Sequence, residues 1–427
     1  MKIQFYKTIF ILLFLGIIQT AVLQEQDFSS AEISENQKNT ATFKMGNGID
    51  LSLNDGEHRF IIGGMVQPRI LFEKVNNSPR DLYLGIKNAF MSFSGEMYDK
   101  KISFLVQANF SDSYPLLDAW MGWNIHKNVK LSVGQKLAFT NNREMNFQEY
   151  NLQFASRSEL SNLYSKTGRE FGLFLESGFS IFGMGLSPKI SVTTGDGKNS
   201  FGVLSNDVDN GGLKYGGRID FYPFGFFKVD NDCIGSDVNR EEKIKIVIGY
   251  ASAYNVGASN SVGEGHYKED ILVQDNFTLY TDQGEDFLPN YLQNYVDVML
   301  KYKGFTLLGE YVNSAAYNLD GSYIDAFGTL LVPTQISEYL ILGNSYNLQS
   351  GYLFKGGFSL DFRYGQTFPE FENENSLLQP LDVMGIGITQ YLNSNQAKIQ
   401  LLVNYLNYPE NNSNNTISGE LLFQIKF

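Results

Sequence analysis

The sequence predicts an all-β fold: a transmembrane antiparallel β-barrel of about 16 strands, with short periplasmic turns and long outer loops. Three observations predict it. Apolar and polar residues alternate over stretches of roughly ten residues. Tight turns and long acidic loops join those stretches, and the chain closes on an amphipathic segment ending at Phe427.

Composition narrows the class before any motif is read. The chain has 427 residues, 43% hydrophobic and 14% aromatic, with Gly 41 far above Pro 10. A single cysteine excludes a disulfide framework or a multi-cysteine metal site. Three histidines (His58, His126 and His266) leave little for zinc or haem, so no cofactor and no metal are expected. A net charge of −13 argues against nucleic acid as a partner.

The elements follow in chain order. Lys2 and Lys7 flank an apolar run from Ile9 to Ile18, and Ala21 supplies a small residue at the cut. A basic start, a short apolar core and a small residue make residues 1–21 a cleaved signal peptide. Its removal takes the charge from −13 to −15. Residues 22–46 read as a polar periplasmic segment, and residues 47–427 as the barrel. No later run of about 18 apolar residues suggests a membrane-spanning helix.

Within 47–427 the strand period of two recurs. Ile102, Phe104 and Val106 alternate with Ser103 and Gln107. Ile244, Ile246, Ile248 and Tyr250 alternate with Lys245, Val247, Gly249 and Ala251. Val296, Val298, Leu300 and Tyr302 alternate with Asp297, Met299 and Lys301, and Phe358, Leu360, Phe362 and Tyr364 with Ser359, Asp361 and Arg363. At the end Leu421, Phe423, Ile425 and Phe427 alternate with Glu420, Leu422, Gln424 and Lys426. Asn54-Asp55-Gly56, Lys127-Asn128 and Lys303-Gly304 are tight-turn signals. Between Gly257 and Gln293, by contrast, seven acids face Lys268 alone. Aromatics gather at strand ends, as in Phe221-Tyr222-Pro223-Phe224, which suits girdles at two membrane interfaces. A soluble sandwich would favour aliphatic residues facing a core. At ~25 residues per strand with half its connections, about 380 residues give about sixteen strands.

A barrel of that width leaves an aqueous channel, so inward residues carry the function. With the apolar phase facing lipid, the inward bases are Arg59, Arg69, Lys101, Lys130, Lys214, Arg218, Lys301, Lys303, Arg363, Lys398 and Lys426. The inward acids are fewer: Asp118, Asp220, Asp297, Glu310, Asp361 and Glu420. A mildly basic wall lowers the barrier for anions. The alternative is that neighbours such as Asp361 and Arg363 satisfy one another. No histidine adjoins a serine motif, so an enzyme is not expected. A surface adhesin, or a component of a larger uptake or secretion assembly, is the competing reading. Its signature is a plugged lumen.

Several stretches resemble the phosphate-selective porin O and P family of outer-membrane proteins, particularly its Bacteroidota branch. They are Ser94-Gly95-Glu96-Met97-Tyr98-Asp99-Lys100-Lys101 with Leu116-Leu117-Asp118-Ala119, and Val133-Gly134-Gln135 leading to Asn142-Arg143-Glu144. Leu152-Gln153-Phe154, Arg157-Ser158 and Arg169-Glu170-Phe171-Gly172 follow. Gly217-Arg218-Ile219-Asp220-Phe221-Tyr222-Pro223, Gly309-Glu310-Tyr311-Val312 and Arg363-Tyr364-Gly365 complete the set. The resemblance implies a sixteen-stranded homotrimeric porin of the Gram-negative outer membrane that passes small anionic solutes, phosphate among them. It also implies contact with lipid and lipopolysaccharide, and insertion machinery that reads the strand ending at Phe427. The segment after Gly134-Gln135 resembles a constriction loop, which makes Arg143 and Arg157 pore-facing candidates, with Arg218 on a strand. Lys301 and Arg363 join them from the inward phase. Where many relatives carry several arginines before the Ser-Gly turn, this chain has Lys87, Asn88, Ala89 and Phe90.

Overall fold

The computed structural model describes residues 39–427 except 77, 166–167, 200–211, 259–278, 320–322, 325–327 and 411. The signal peptide, most of the polar segment and His266 lie outside the described residues. An N-terminal hairpin comes first, β1 (Thr40–Lys44) and β2 (Gly48–Leu53), ahead of the boundary expected at Asn47. Then come β3 (His58–Val75), β4 (Asp81–Met97), β5 (Ile102–Asn109), β6 (Leu116–His126), β7 (Val129–Leu137), β8 (Arg169–Ser177) and β9 (Phe179–Ile181). The series continues with β10 (Met184–Thr193), β11 (Lys214–Tyr222) and β12 (Lys245–Asn255). A small outer hairpin, β13 (Leu279–Tyr280) and β14 (Asp286–Phe287), precedes β15 (Asn290–Tyr302), β16 (Phe305–Tyr317) and β17 (Gly343–Leu353). Last are β18 (Phe358–Pro369), β19 (Leu381–Asn393), β20 (Ala397–Asn407) and β21 (Thr416–Lys426).

From β3 onward the wall strands pair antiparallel in chain order, β8 with β10 and β12 with β15, and β21 returns to β3, Thr416 opposite Val75 and Lys426 opposite Met65. The sheet is therefore a closed antiparallel barrel of 16 strands, with β9 continuing the line of β8 along β10. Closure removes the sheet edge that lipid could not hydrogen-bond. One stretch of edge is left by the length of β3. Its second half pairs with β21, and its first half pairs with β2, Ile49 opposite Ile62. The N-terminal hairpin so covers the edge beneath the seam.

The turn signals sit where the sequence places them. Lys303 (φ 50) and Gly304 (φ 96) both lie in the left-handed region, as a tight hairpin between right-twisted strands requires. Outward positions are apolar. At the short-turn end Phe60, Phe93 and Phe104 stack with centroids 5.1–6.2 Å apart, and Tyr352, Phe354 and Phe358 form a second group. Nearer the other end Tyr311, Tyr346 and Phe368 pack together on the outer face. One connection at the short-turn end departs from its neighbours. Between β11 and β12 the chain takes residues 223–244 to turn round.

Candidate channel and its internal fillings

The connection from β7 to β8, residues 138–168, folds into the barrel and is called the inner loop below. Its sequence builds it from short pieces: 3-10 turns at Glu144–Asn146 and Glu149–Asn151, then α1 (Glu159–Tyr164). The Ser158 side chain caps α1 by accepting from the Ser161 N–H. Its apolar residues bury against the wall on several sides. Phe139 meets Phe174 of β8 edge-on, centroids 5.8 Å apart. Phe147 and Leu152 join a cluster with Tyr222, Val247, Met299 and Leu308, and Leu160 and Tyr164 one with Ala251, Tyr295 and Val312. Phe154 and Ala155 pack on Leu402 and Leu422, and Tyr150 on Met65, Phe90 and Leu117. Each large side chain buried this way contributes about 1.5–3 kcal/mol. The waist of the barrel thus holds a hydrophobic core of the kind expected in a soluble protein.

Charged groups lock that core to the wall. Arg143 donates to Asp297 of β15 through Nε and to Asp220 of β11 through a terminal nitrogen, both at 2.5 Å. Arg218 also binds both carboxylates, at 2.9 and 2.5 Å, and Lys189 reaches Asp220 at 3.1 Å. Glu144 is held on all sides. Its carboxylate accepts from the Ser158 N–H (2.8 Å), the Ser158 and Ser161 hydroxyls, Gln349 (2.7 Å) and Arg363 (3.2 Å). Burial pushes this acid up, but Arg363 and the three side-chain donors outweigh burial and hold it below the ordinary carboxylate value. Glu310 accepts from the Glu144 N–H and from Asn142 and Asn347.

All five candidates from the sequence lie on the inner loop or the inward face of a strand, and each charge is met within the protein. Arg143 and Arg218 share the two aspartates. Arg157 donates to the carbonyls of Glu144 and Phe147 and to the Glu149 carboxylate. Arg363 adds the carbonyls of Ser156 and Arg157 to Glu144 and stacks 4.2 Å from the Phe154 ring centroid. Lys301 points its ammonium at the carbonyls of Asn231 and Ile234 (both 2.6 Å) and Ser236 (3.0 Å).

Those carbonyls belong to residues 223–244, which turn up into the lumen from below. Phe227 enters the cluster of Phe147 and Leu152. Asp237 accepts from the N–H groups of Glu241 and Gly304, and Ser236 meets the Tyr391 hydroxyl at 2.8 Å. The segment also touches the inner loop. The Gly235 N–H donates to the Asn151 carbonyl at 2.7 Å, and Asn151 donates to Cys233 O at 3.1 Å. A Cβ on Gly235 would stand 2.5 Å from the Gln153 nitrogen, so this approach admits only glycine.

The resemblance pointed to the inner loop as a segment that enters the barrel, while sequence reasoning missed how closely it packs and missed residues 223–244 altogether. The signal was present in the inward phase, where Val247, Met299 and Leu308 are apolar although the period assigns them to water. Ahead of the Ser94-Gly95 pair, Lys87 binds Glu420 (2.9 Å) and the Ala155 carbonyl (2.7 Å). Asn88 joins a chain of amides, Gln424 to Gln67 to Asn88 to Asn109, across the seam.

Less buried inward positions remain on β4 to β10, among them Ser92, Ser94, Glu96, Lys130, Lys136 and Lys189. In most ion pairs facing this space the cation is the more exposed partner. Arg69 and Lys87 are 27% and 20% exposed against 6% for Glu420, and Lys189 is 21% against 2% for Asp220. Lys136 and Glu176 reverse the order, 14% against 30%. Lys130 has no ion pair among the described residues and lies 4.2 Å over the Trp120 ring. His58 meets Glu57 at 3.8 Å and the Tyr98 ring edge-on, near the end of the barrel where β3 begins.

No family model matches the chain, and no curated protein matches it. Solved structures do. The chain is similar to the outer membrane channel DcaP of Acinetobacter baumannii, with TM-score 0.53 and 9% identity over 87% of this chain and 97% of that one. It is similar to an anion-selective porin from Comamonas acidovorans, with TM-score 0.52 and 10% identity over 87% and 100%. For OprB of Pseudomonas putida the values are 0.51 and 10% over 87% and 95%. The fold is that of the outer-membrane porins.

Proposed function

We propose that this chain is a porin of the Gram-negative outer membrane, a narrow channel for passive diffusion of small solutes with a preference for anions. The observation that carries the preference is the arrangement of the lumenal ion pairs. Most present the base to the open space and bury the acid behind it, so a solute meets positive charge although the chain carries −13. The porin fold supports the channel. The resemblance to the phosphate-selective family supplies phosphate as one candidate anion and a homotrimer as the assembly. Arg143, Arg157, Arg218, Lys301 and Arg363 act in this reading chiefly by holding the constriction in shape.

Purified protein in planar bilayers under a salt gradient tests this. Stable steps with a reversal potential of anion sign are the expected result, and a cation sign overturns the preference. The packed waist favours a second reading, in which the barrel is a scaffold and the outer loops bind a partner. Folded protein that never conducts selects that reading.

A further inference from the structure

A cavity between the inner loop and the wall, beside the seam of β21 and β3, holds polar groups that the protein leaves unsatisfied. Its volume is about 290 Å³. That is at the lower edge of the roughly 300–1,000 Å³ typical of pockets for drug-sized ligands, which suits a solute of monosaccharide size. The wall contributes Ser92, Ser94 and Gln107, the inner loop Gln148 and Tyr150, and the last strand Lys426.

Three features define what would fit. Gln107 is only 6% exposed, and its side-chain oxygen, like that of Gln148, is buried without a hydrogen-bond partner. A buried amide oxygen left unpaired is destabilising, and a bound donor would relieve it. Lys426 forms no ion pair among the described residues, and its ammonium lies 3.9 Å from the Tyr150 ring centroid. The lining holds no side-chain carboxylate, and the terminal carboxylate of Phe427 accepts from the Gly64 N–H at 2.7 Å.

One free ammonium, two unpaired amide oxygens and three hydroxyls call for an anion that also donates hydrogen bonds. Near neutral pH phosphate carries only one or two P–OH donors, fewer than a polyhydroxylated chain supplies. A neutral sugar leaves the ammonium unmatched. We propose that this cavity is a binding station for a hydroxylated monocarboxylate of sugar-acid size, its carboxylate on Lys426 and its hydroxyls on Gln107 and Gln148. A hydroxyl both donates and accepts, so it suits either orientation of each amide. The proposal deepens the reading of the chain as an anion-preferring channel and rests on it.

Calorimetric titration of the full-length protein in nanodiscs with sodium glucuronate, glucose and inorganic phosphate provides the test, with bilayer conductance measured in parallel. Glucuronate is expected to bind at least about tenfold more tightly than either control. Lys426→Met should remove about tenfold from glucuronate and leave glucose unchanged. Gln107→Met, which keeps the volume and removes the unpaired amide, should weaken glucuronate without loss of folding. Equal or tighter binding of phosphate, no binding of glucuronate, or indifference to both variants overturns the proposal. Conductance without glucuronate binding leaves the channel reading standing and sinks the station. Binding without conductance does the reverse.

Discussion

The inner loop and residues 223–244 fill the same lumen from opposite ends, yet they are held differently. The inner loop is fixed by side-chain charge to strands far apart in the wall, β11, β15, β17 and β18, through Arg143 and Glu144. The lower segment offers three of its carbonyls to one ammonium, Lys301, and two of its charged groups meet backbone: Arg240 donates to the Leu353 and Lys303 carbonyls, and Asp237 accepts from the Gly304 and Glu241 N–H groups. Breaking a buried ion pair strands a charge, whereas a freed carbonyl at the mouth of a barrel can return to water. The inner loop is therefore a constituent of the wall, and the lower segment is a removable stopper.

The sharpest way to break that contrast is to remove the stopper. Replacing residues 225–243 by a short Gly-Ser turn keeps the pairing of β11 with β12, which ends at Phe221 opposite Ile248. Single-channel conductance is expected to rise several-fold with the barrel intact. Unchanged conductance would place the whole barrier in the inner loop.

The lock on the inner loop should show as stability. Arg143→Met leaves Asp220 and Asp297 sharing Arg218, with Lys189 near Asp220 alone. The expected loss is about 3 kcal/mol in denaturant unfolding from lipid, at the lower end for a broken buried pair because Arg218 stays. Adding Asp297→Asn should recover much of it. A purely additive second loss would show that the two residues do not act as a pair.

Lys301→Met tests the weaker anchor. Losing the ammonium should cost about 1.4 kcal/mol locally, a factor of about ten in the population of the opened segment. Trypsin cleavage at Lys228 and Arg240 should accelerate by that factor while the inner loop stays protected. Equal acceleration in both regions would mean that the two fillings open together.

The sequence showed the barrel far better than it showed the fillings. Val296, Val298 and Leu300 meet lipid, and lipid accepts a simple alternation, so the strand period survives at the outer face. The inward phase must suit whatever fills the lumen, and that is decided by residues distant in sequence. Met299 and Leu308 are apolar on the inward face because Phe147 and Leu152 pack against them. Lys301 and Arg363 were legible as inward bases, but periodicity carries no information about partners. Residues 223–244 mix Phe224, Phe226 and Phe227 with a polar run that holds Asp230, Asp232 and Asp237, and such a stretch reads as a loop whether it hangs in water or turns inward.

The smallest effect expected separates the two anchors by pH. Glu144 sits below its ordinary carboxylate value because Arg363 and its hydrogen-bond donors favour the charged form. A depressed acid adds stability that is fully present above the unfolded value, about 4.3, and is lost as pH falls through the folded one. Acidification from pH 5 to pH 3 should therefore loosen the inner loop and raise the frequency of brief openings in bilayer recordings. The lower segment, anchored by an ammonium to neutral carbonyls, supplies no such dependence at that contact. Glu144→Gln should open more often than the native protein at pH 7, and the two should converge near pH 3. A native trace that stays flat over this range, or a variant that keeps the full pH response, would assign the acid response to another carboxylate, with Glu310 on β16 first in line because it accepts the Glu144 N–H.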